Sequence, residues 1–434
     1  MSRPFLILPL LLLLACSGDD GEEEPTTVTT TGGPAPTTAV PPTSAVEASP
    51  TIVLTPVPPT TSPSATATAS PGATGCGEAI LGANDPARIS LSELTGSLVF
   101  ACEGQIWTAQ SDGTGQMRLT QPEVIDWDGV RLYRVPEGNP PSRQERAELE
   151  EQMNSSPRWL ADGRVVFASI RDTLRLSAAA PSNAPRPFVG ATELYAINGD
   201  GTGEQRLTDY NLTPGSYMSP FSDFSPSECL FPDFCFAGLL TITPFSAANR
   251  ELLVAVQIVE VRFSECCFLF GLLDISGAAA NLTLDRFDDT PARDVVGWDW
   301  SADDRAALST LRILDPANQY RTEFHLAPAG QSRSLPAYVN AGSLSPDATM
   351  VAYCSLENDG RGPWAVQVAP VSDEDSRVLF STESNLATRS CQPRWSPDGS
   401  HLVLNDSEGQ VIIINVETGD TTPVASGVTP DWGP

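Results

Sequence analysis

Lysine is absent from the 434-residue sequence, so all 25 basic residues are arginines, and histidine occurs only twice. Without lysine the chain can form no Schiff base with a carbonyl substrate and holds no phosphate-binding loop of the Gly-Lys-Ser type. The Gly-x-Ser-x-Gly motif of serine hydrolases is also missing. Neither Cys-x-x-Cys nor His-x-x-x-His occurs, which disfavours a zinc site. Most of the usual sequence signatures of catalysis are therefore absent.

Negative charge dominates the chain, with 54 acidic residues against 25 basic ones and a net charge of −29. Such a chain repels phosphate groups, so nucleic acid and anionic lipid are disfavoured as partners. The simplest interpretation is an acidic surface that keeps an exported protein soluble, and cation binding is the alternative. We expect no cofactor unless it is Ca²⁺, for which the candidate ligands are Asp126, Asp128, Asp288 and Asp289. Neither pair follows the EF-hand spacing.

An apolar run covers residues 5–14 and follows the single charge of Arg3. About ten residues are too few for a membrane-spanning helix, so the run predicts the apolar region of an export signal. It ends in Leu-Leu-Ala-Cys-Ser, with the cysteine at Cys16, and this ending resembles the lipobox of bacterial lipoproteins. The resemblance implies that residues 1–15 are a lipoprotein signal peptide and that Cys16 carries the lipid. We therefore expect a membrane-anchored protein on the extracytoplasmic side, at the cell surface or in the periplasm.

Residues 16–75 predict a disordered spacer behind the lipid anchor. From residue 25 to residue 75 the chain is mostly Pro, Thr, Ser and Ala, with Glu47 as the one charge and no aromatic residue. A segment of this composition cannot bury a core. Because proline favours the extended polyproline conformation at about 3.1 Å per residue, about 50 residues can reach roughly 150 Å. The spacer would carry the remaining domain, residues 76–434, away from the membrane.

A short turn sequence recurs in this C-terminal domain. Its clearest copy is Trp395-Ser-Pro397-Asp398-Gly399, which has apolar runs before and after it. Proline fixes φ and glycine accepts a positive φ, so the motif predicts a tight turn between two strands. Related turns follow Trp159, Trp300 and Leu344, and a degenerate one follows Phe245. The residues to which we assign a structural role in these turns are Trp159, Asp162, Gly163, Trp300, Asp347, Trp395, Pro397, Asp398, Gly399 and Trp432.

A second motif repeats without gaps. Residues 106–120 and 194–208 are identical at seven of fifteen positions, including Asp-Gly-Thr-Gly and a final Arg-Leu-Thr. A strand, an Asp-Gly turn and a short strand predict a β-hairpin. Together with the first motif, the hairpin makes a repeating unit of four antiparallel strands. Because one such sheet cannot cover both of its faces, stacking in a ring is the expected solution.

Over residues 96–434 these motifs resemble the PD40 or TolB-type repeat, a relative of the WD40 repeat. The resemblance implies an all-β β-propeller. The strand-entry positions predict six blades, and they are Trp159, Phe245, Trp300, Leu344, Trp395 and Trp432. Residues 427–434 match a first strand and end where its turn should follow, while residues 97–101 form a second strand without a first. We therefore predict that the C-terminal strand completes the N-terminal blade and closes the ring. TolB has an α/β domain where this chain has a spacer, so a role in the Tol system does not carry over.

Nine cysteines are present, and with Cys16 lipidated eight remain for disulfides in an oxidising compartment. Sequence alone does not fix the connectivity. Proximity along the chain favours the pair Cys76 with Cys102 and the pair Cys354 with Cys391. The remaining four cysteines are close together in the middle of the domain. Their simplest assignment joins Cys266 and Cys267 to Cys229 and Cys235.

Three insertions interrupt the repeat, at residues 121–156, 172–191 and 209–242. The first has a capping-box pattern at Ser142 that predicts a helix to about residue 153, and the proline-rich second predicts an extended loop. Their positions between blades and between second and third strands place all three on one face. That face is the candidate binding surface, and surface loops without a function are the alternative.

Two functions from different classes agree with these features. The first is a non-catalytic recognition or scaffold module that binds an envelope protein or polymer. The alternative is a propeller hydrolase or lyase with a carboxylate or Ca²⁺ centre in the axial channel. His325 and His401 lie in predicted strands and favour structural roles, so we predict no catalytic residue and favour the first function.

Overall fold

The computed structural model describes residues 76–77, 90–130, 140–179, 192–208, 241–247, 251–259, 266–274, 281–285, 293–301, 306–314, 320–327, 331–335, 339, 342–356, 364–371, 375–381, 391–406 and 408–433. These residues contain 24 strands, arranged as six four-stranded antiparallel sheets that we call A to F. The fold is all-β, as the repeats predict, with two short helices between strands. No helix in the described part of the chain is long and apolar enough to cross a membrane.

Within each sheet, every strand is hydrogen-bonded to the one named next to it. Sheet A contains β24 (Val428–Gly433), β1 (Ser97–Cys102), β2 (Gln105–Gln110) and β3 (Met117–Arg118). Sheet B contains β4 (Asn154–Trp159), β5 (Arg164–Ser169), β6 (Glu193–Asn198) and β7 (Gln205–Arg206). Sheet C contains β8 (Thr241–Ala247), β9 (Glu251–Val259), β10 (Cys266–Asp274) and β11 (Asn281–Asp285). The same order continues in sheets D, E and F.

Sheet D contains β12 (Arg293–Trp300), β13 (Ala307–Leu314), β14 (Tyr320–Ala327) and β15 (Gln331–Leu335). Sheet E contains β16 (Ser343–Leu344), β17 (Met350–Leu356), β18 (Trp364–Pro370) and β19 (Arg377–Ser381). Sheet F contains β20 (Arg394–Trp395), β21 (His401–Asn405), β22 (Gln410–Asn415) and β23 (Thr421–Ser426). The six predicted first-strand positions all lie in a first strand, and they are Trp159, Phe245, Trp300, Leu344, Trp395 and Trp432.

Sheet A combines the two ends of the domain. β24 pairs antiparallel with β1, so that Gly433 lies opposite Ser97 and Trp432 opposite Leu98. The Trp432 indole is buried, and its Nε1 donates a hydrogen bond to the Thr95 carbonyl oxygen at 3.1 Å. The C-terminal strand therefore occupies the edge of β1 that would otherwise expose unpaired backbone groups.

The first strands of the sheets contact one another in sequence. β24 contacts β4, β4 contacts β8, and β8 contacts β12. In turn β12 contacts β16, β16 contacts β20, and β20 contacts β24. The sheets thus meet along their first strands.

The apolar run of β1 shows how the sheets pack. Leu98 and Phe100 are fully buried against Val403 and Ile413 of sheet F. Alternate residues of the same strand, Val99 and Ala101, pack against sheet B. Because side chains alternate between the faces of a strand, a run that is apolar at every position is buried on both faces. Strand β1 therefore lies between two other sheets.

The repeated turns have the same hydrogen bonds in sheets E and F. Asp398 Oδ1 accepts from Ser396 Oγ at 2.6 Å and from the Ser400 backbone N–H at 3.0 Å. Asp347 Oδ1 accepts from Ser345 Oγ at 2.7 Å and from the Thr349 N–H at 3.1 Å. The Asp-Gly turn of sheet F places Gly399 at φ 73°. The aspartates therefore fix the turns from within, in the manner of an Asx turn.

These hydrogen bonds predict how the protein responds to acid. The hydrogen bond from Ser345 is the largest cause that lowers the pKa of Asp347, and it outweighs the effect of partial burial. A carboxylate with a lowered pKa in the folded state stabilises the fold above its ordinary pKa of about 3.9 and loses this contribution as the pH falls through the folded value. Between about pH 5 and pH 2 the unfolding free energy should therefore fall less steeply in Asp347→Asn than in the wild-type protein.

Urea unfolding at a series of pH values measures both slopes. Glu408→Gln is the matched control, because Glu408 is exposed and its N–H, not its carboxylate, bonds Asp406. Identical slopes for Asp347→Asn and wild type would contradict the stabilising role of the turn carboxylate.

The duplicated hairpin motif forms two equivalent hairpins. In β2–β3 the Ile106 N–H donates to Thr120 Oγ1 at 3.0 Å, and in β6–β7 the Leu194 N–H donates to Thr208 Oγ1 at 2.9 Å. In both turns the threonine that follows Asp-Gly bonds the aspartate through its N–H at 2.9 Å. The residues that are identical in the two motifs thus hold the hairpins together. This structural role is sufficient to explain why the motif is repeated.

Two helices lie in the insertions. Helix α1 (Arg143–Glu151) begins after Ser142, and the predicted capping box is present, with Ser142 and Glu145 each bonding the other's backbone N–H. Helix α2 (Arg171–Ala179) corrects the prediction that the second insertion begins as an extended loop. The prolines behind that prediction all lie beyond the helix, while Asp172 in its first turn favours a helical start.

Candidate functional site

The first two insertions pack against each other. We call residues 121–130, α1 and α2 together the platform. Its core consists of Ile125, Val130, Leu149, Met153, Ile170 and Leu174, all buried. A backbone hydrogen bond of 3.1 Å from the Ile170 N–H to the Met153 carbonyl oxygen joins the segment after α1 to the segment before α2. The predicted meeting of these two insertions therefore takes place, whereas residues 209–240 of the third lie outside the described residues.

Buried polar groups attach the platform to sheet B. The hydroxyl of Tyr195 on β6 donates to the carboxylate of Asp172, and Arg171 lies 3.6 Å above the Tyr195 ring. Arg171 also forms a 2.7 Å ion pair with Glu204. Burial, the largest cause, raises the pKa of Tyr195, and the neighbouring Asp172 raises it further. The tyrosine is thus a neutral donor, and the first turn of α2 is held on the sheet.

The outer surface of the platform is acidic. Val124 is 91% exposed, and the exposed Asp128 is paired with Arg146 at 3.3 Å. Burial, then the charges of Glu148 and Glu103, raise the pKa of Glu151 at the end of α1. Negative side chains are therefore close enough together on this part of the surface to repel one another.

The candidate calcium ligands do not form a centre in the described part of the chain. Asp126 is exposed, and Asp128 faces Arg146. Asp288 and Asp289 lie outside the described residues. No group of three His, Cys, Asp or Glu side chains is placed to hold a metal among the described residues.

The structure contains two disulfides among its described cysteines. Cys76 is joined to Cys102 with a Cα–Cα distance of 6.1 Å, and Cys354 to Cys391 with 6.0 Å. These are the two pairs that chain proximity favours. Cys266 and Cys267 begin β10. Their predicted partners, Cys229 and Cys235, lie outside the described residues, as does the predicted lipid site Cys16.

Five polar side chains lie close together where the first strands meet. Each of the five stands immediately before the aromatic position of its first strand, or before the leucine in sheet E, and we call this group of five residues the axial ring. The members are Asp431, Arg158, Asp299, Ser343 and Arg394, which belong to sheets A, B, D, E and F. Four of them are therefore ionisable, two positive and two negative.

Asp299 connects three sheets across the ring. Its Oδ1 accepts from Arg394 Nη1 at 2.9 Å, and its Oδ2 accepts from Ser343 Oγ at 2.9 Å and from the Leu344 N–H at 2.8 Å. Asp299 and Arg394 are both buried and belong to sheets D and F, whose first strands each contact the first strand of sheet E. Their ion pair therefore joins two sheets that are not consecutive along the chain.

Arg158 forms a second set of hydrogen bonds between distant parts of the chain. Its Nη2 donates to Gln392 Oε1 at 3.0 Å, and its Nη1 donates to the carbonyl oxygens of Pro157 at 2.7 Å and Thr429 at 3.4 Å. Burial is the largest cause that lowers its pKa, and the charge of Arg394 lowers it further, while Asp431 and Asp299 oppose the shift. An arginine stays protonated even so, so the ring holds two buried cations.

The chemistry of the ring is structural in kind. Asp431 Oδ2 accepts from the Trp159 N–H at 2.8 Å, as Asp299 does from the Leu344 N–H, so each carboxylate ties its sheet to the next one. The oxygen atoms of these carboxylates are thus occupied by hydrogen bonds within the protein. The histidines lie elsewhere, His325 beside Glu323 at 3.0 Å and His401 at the start of β21.

The ionisable ring members Arg158, Asp299, Arg394 and Asp431 are not among the site residues predicted from the sequence. The sequence pattern marks these positions, because each is the residue immediately before the tryptophan of a first strand. Of the turn residues singled out, Trp159, Trp300, Trp395 and Trp432 stand beside the ring, whereas Asp162, Gly163, Asp347, Pro397, Asp398 and Gly399 occupy the turns beyond it.

No protein-family model and no curated protein matches this chain. Solved structures do match. A protein described as a TolB from Agrobacterium tumefaciens has a TM-score of 0.38 and 12% identity over 79% of this chain and 99% of its own. The Swd1 β-propeller domain from Myceliophteria thermophila has a TM-score of 0.34 and 8% identity over 76% and 86% of the two chains.

A prolyl endopeptidase matches 81% of this chain with 13% identity and a TM-score of 0.36. This chain spans about half of that protein, 53% of its length. Identities and TM-scores this low transfer no residue role, ligand or activity, so function must be argued from this chain's own side chains.

Proposed function

We propose that this protein is a lipid-tethered, extracytoplasmic β-propeller that acts as a non-catalytic recognition or scaffold module for an envelope protein or polymer. The observation that carries the proposal is the platform. Two insertions from different sheets share one buried core and a buried polar attachment to sheet B, while Val124 and the acidic residues remain exposed. An ordered surface built from insertions on a rigid scaffold is typical of a binding face.

We further propose that the six sheets are the blades of a closed ring. The contacts of successive first strands, from β24 through β4, β8, β12, β16 and β20 back to β24, support closure. The ion pair between Asp299 and Arg394 supports it as well, because sheets D and F are not neighbours and would meet only across a central axis.

The axial ring favours this function over a hydrolase or lyase. A carboxylate that acts in catalysis must be free to exchange a proton with the substrate. Asp299 is instead bonded to Arg394, Ser343 and the Leu344 N–H, and Asp431 to the Trp159 N–H. The described channel residues therefore stabilise the ring itself.

Cross-linking in envelope fractions tests the platform. Val124→Arg should reduce the recovery of specifically cross-linked partners about tenfold or more, because loss of a central contact typically weakens binding by about 1.4 kcal/mol or more. Ala161→Arg, in the exposed turn after β4, is the matched control and should leave recovery unchanged. Equal recovery with both variants would refute the platform as the binding face.

In the same cells Cys16→Ser should move the protein from the membrane to the soluble fraction.

A further inference from the structure

His401 lies between two turns at one end of sheet F. It begins β21, directly after the turn that contains Asp398, and it stands opposite Asn415, the last residue of β22. Its imidazole is half-buried, and both ring nitrogens have a partner. Nδ1 lies 2.7 Å from Ser400 Oγ, and Nε2 lies 3.2 Å from Asn415 Nδ2. The side chain therefore connects the turn before β21 to the turn between β22 and β23.

The orientation of the Asn415 side-chain amide is determined by its oxygen. Oδ1 accepts from the backbone N–H of Glu417 at 2.9 Å and from that of Thr418 at 2.9 Å. Nδ2 is then the amide atom that faces His401, and an amide nitrogen can only donate. His401 Nε2 must therefore be the acceptor of this hydrogen bond, which requires that it carry no proton.

The position of the imidazole proton follows from this contact. A neutral histidine without a proton on Nε2 carries it on Nδ1. His401 Nδ1–H then donates to Ser400 Oγ, and the Ser400 hydroxyl donates to Asp398 Oδ1 at 2.7 Å. The hydrogen bonds from Asn415 through His401 and Ser400 to Asp398 thus all run in one direction, and bonds in such a series strengthen one another.

The turn between β22 and β23 also contacts sheet E. The guanidinium of Arg377 on β19 donates to the carbonyl oxygens of Val416 and Glu417, with 2.8 Å for the second of these bonds. An added Cβ at Gly419 would stand only 2.8 Å from the Leu379 carbonyl oxygen, so the two backbones are close together. Loosening of this turn would therefore weaken a contact between sheets E and F.

We propose that His401 is a pH-sensitive switch, whose protonation breaks the side-chain contact between the two turns and loosens the contact of sheet F with sheet E. The added proton goes to Nε2, which becomes a donor that faces a second donor, Asn415 Nδ2. The amide cannot offer its oxygen instead without giving up the N–H groups of Glu417 and Thr418. The contact is therefore lost, whatever the platform binds.

The surroundings of His401 favour its neutral form. Burial, the largest cause, lowers the pKa of His401 from its ordinary value of about 6.5, and the charge of Asp398 opposes this shift. The other charged side chains on the two turns, on β19 and on the adjoining turn of sheet E are exposed, and they are Asp347, Arg377, Glu417 and Asp420. Because the folded state has the lower pKa, the stability that depends on neutral His401 is complete above about pH 6.5 and is lost as the pH falls through the folded value.

Nitrogen NMR of the full-length protein with ¹⁵N-labelled histidine tests the position of the proton. The chain has two histidines, so His325→Gln leaves His401 as the single signal. Near neutral pH this signal should be that of the Nδ1–H tautomer. Its protonation midpoint should lie below the midpoint measured for the same protein unfolded in urea.

Asn415→Asp should raise the protonation midpoint of His401 by about one pH unit, because it places a carboxylate beside Nε2 and keeps an oxygen for the two N–H groups of the turn. Asn198→Asp is the matched control. It makes the same change of charge at the last residue of β6, the third strand of sheet B, as Asn415 is the last residue of the third strand of sheet F. The control should leave the midpoint unchanged.

Hydrogen exchange measures the loosening. Relative to the intrinsic exchange rates, protection of residues 377–381 and 416–420 should fall about fivefold between about pH 7.5 and pH 5, as expected for the loss of one hydrogen bond of ordinary strength. His401→Gln cannot be protonated and should show no such fall. An Nε2–H tautomer near neutral pH, an unchanged midpoint in Asn415→Asp, or equal protection at the two pH values would each overturn the proposal.

Discussion

Removal of residues 427–434 should lower the unfolding free energy by more than about 5 kcal/mol, since truncation of one buried tryptophan alone typically costs roughly 3–5 kcal/mol. The deletion removes Trp432 and all of β24, which leaves the backbone of β1 unpaired along one edge. It also removes the Asp431 carboxylate that accepts from the Trp159 N–H. Two sheet junctions would be lost together, so the expected effect exceeds that of a single cavity.

Thermal unfolding measures the loss, with deletion of Pro434 alone as the control. A synthetic peptide with the sequence of residues 427–434 should restore much of the melting temperature when added to the shortened protein, because the groove beside β1 remains. A melting curve unchanged by the deletion would contradict the pairing of β24 with β1 as a structural necessity.

Replacement of Asp299 by alanine should destabilise the protein by about 3–5 kcal/mol, the usual cost of removing one partner from a buried ion pair. Arg394 would keep a buried positive charge without the carboxylate 2.9 Å away, and Ser343 and the Leu344 N–H would lose their acceptor. The nearby positive charge of Arg158 repels Arg394, and this repulsion would add to the loss of stability.

The double variant Asp299→Ala/Arg394→Met is the decisive comparison. Removal of both charges should recover most of the lost stability, because the penalty arises from an uncompensated charge and not from the absence of the pair. Denaturant unfolding of the two variants gives both values. A double variant as unstable as the single one would show that Asp299 acts through its backbone partners alone.

The repeats predicted the strands and turns of this fold well, for a local reason. Pro397, Asp398 and Gly399 form their turn through bonds that span two residues, such as the one from the Ser400 N–H to Asp398. The duplicated hairpins likewise needed only contacts within fifteen residues. Even the match of residues 427–434 to a first strand follows from a repeat that is incomplete at both ends. Helix α2 differs from the predicted extended loop because the prolines of the insertion lie beyond the helix, whereas Asp172 in its first turn favours a helical start.

The sequence by itself determined the strand pattern, the turn chemistry and the positions of the insertions, since all of these depend on residues that are close together in the chain. Only the tertiary structure decided which charged groups meet where the first strands contact one another. Asp299 and Arg394 are 95 positions apart, and Asp431 and Trp159 are 272 apart. Their pairing depends on the order in which whole sheets contact one another, and no local pattern of residues encodes that order.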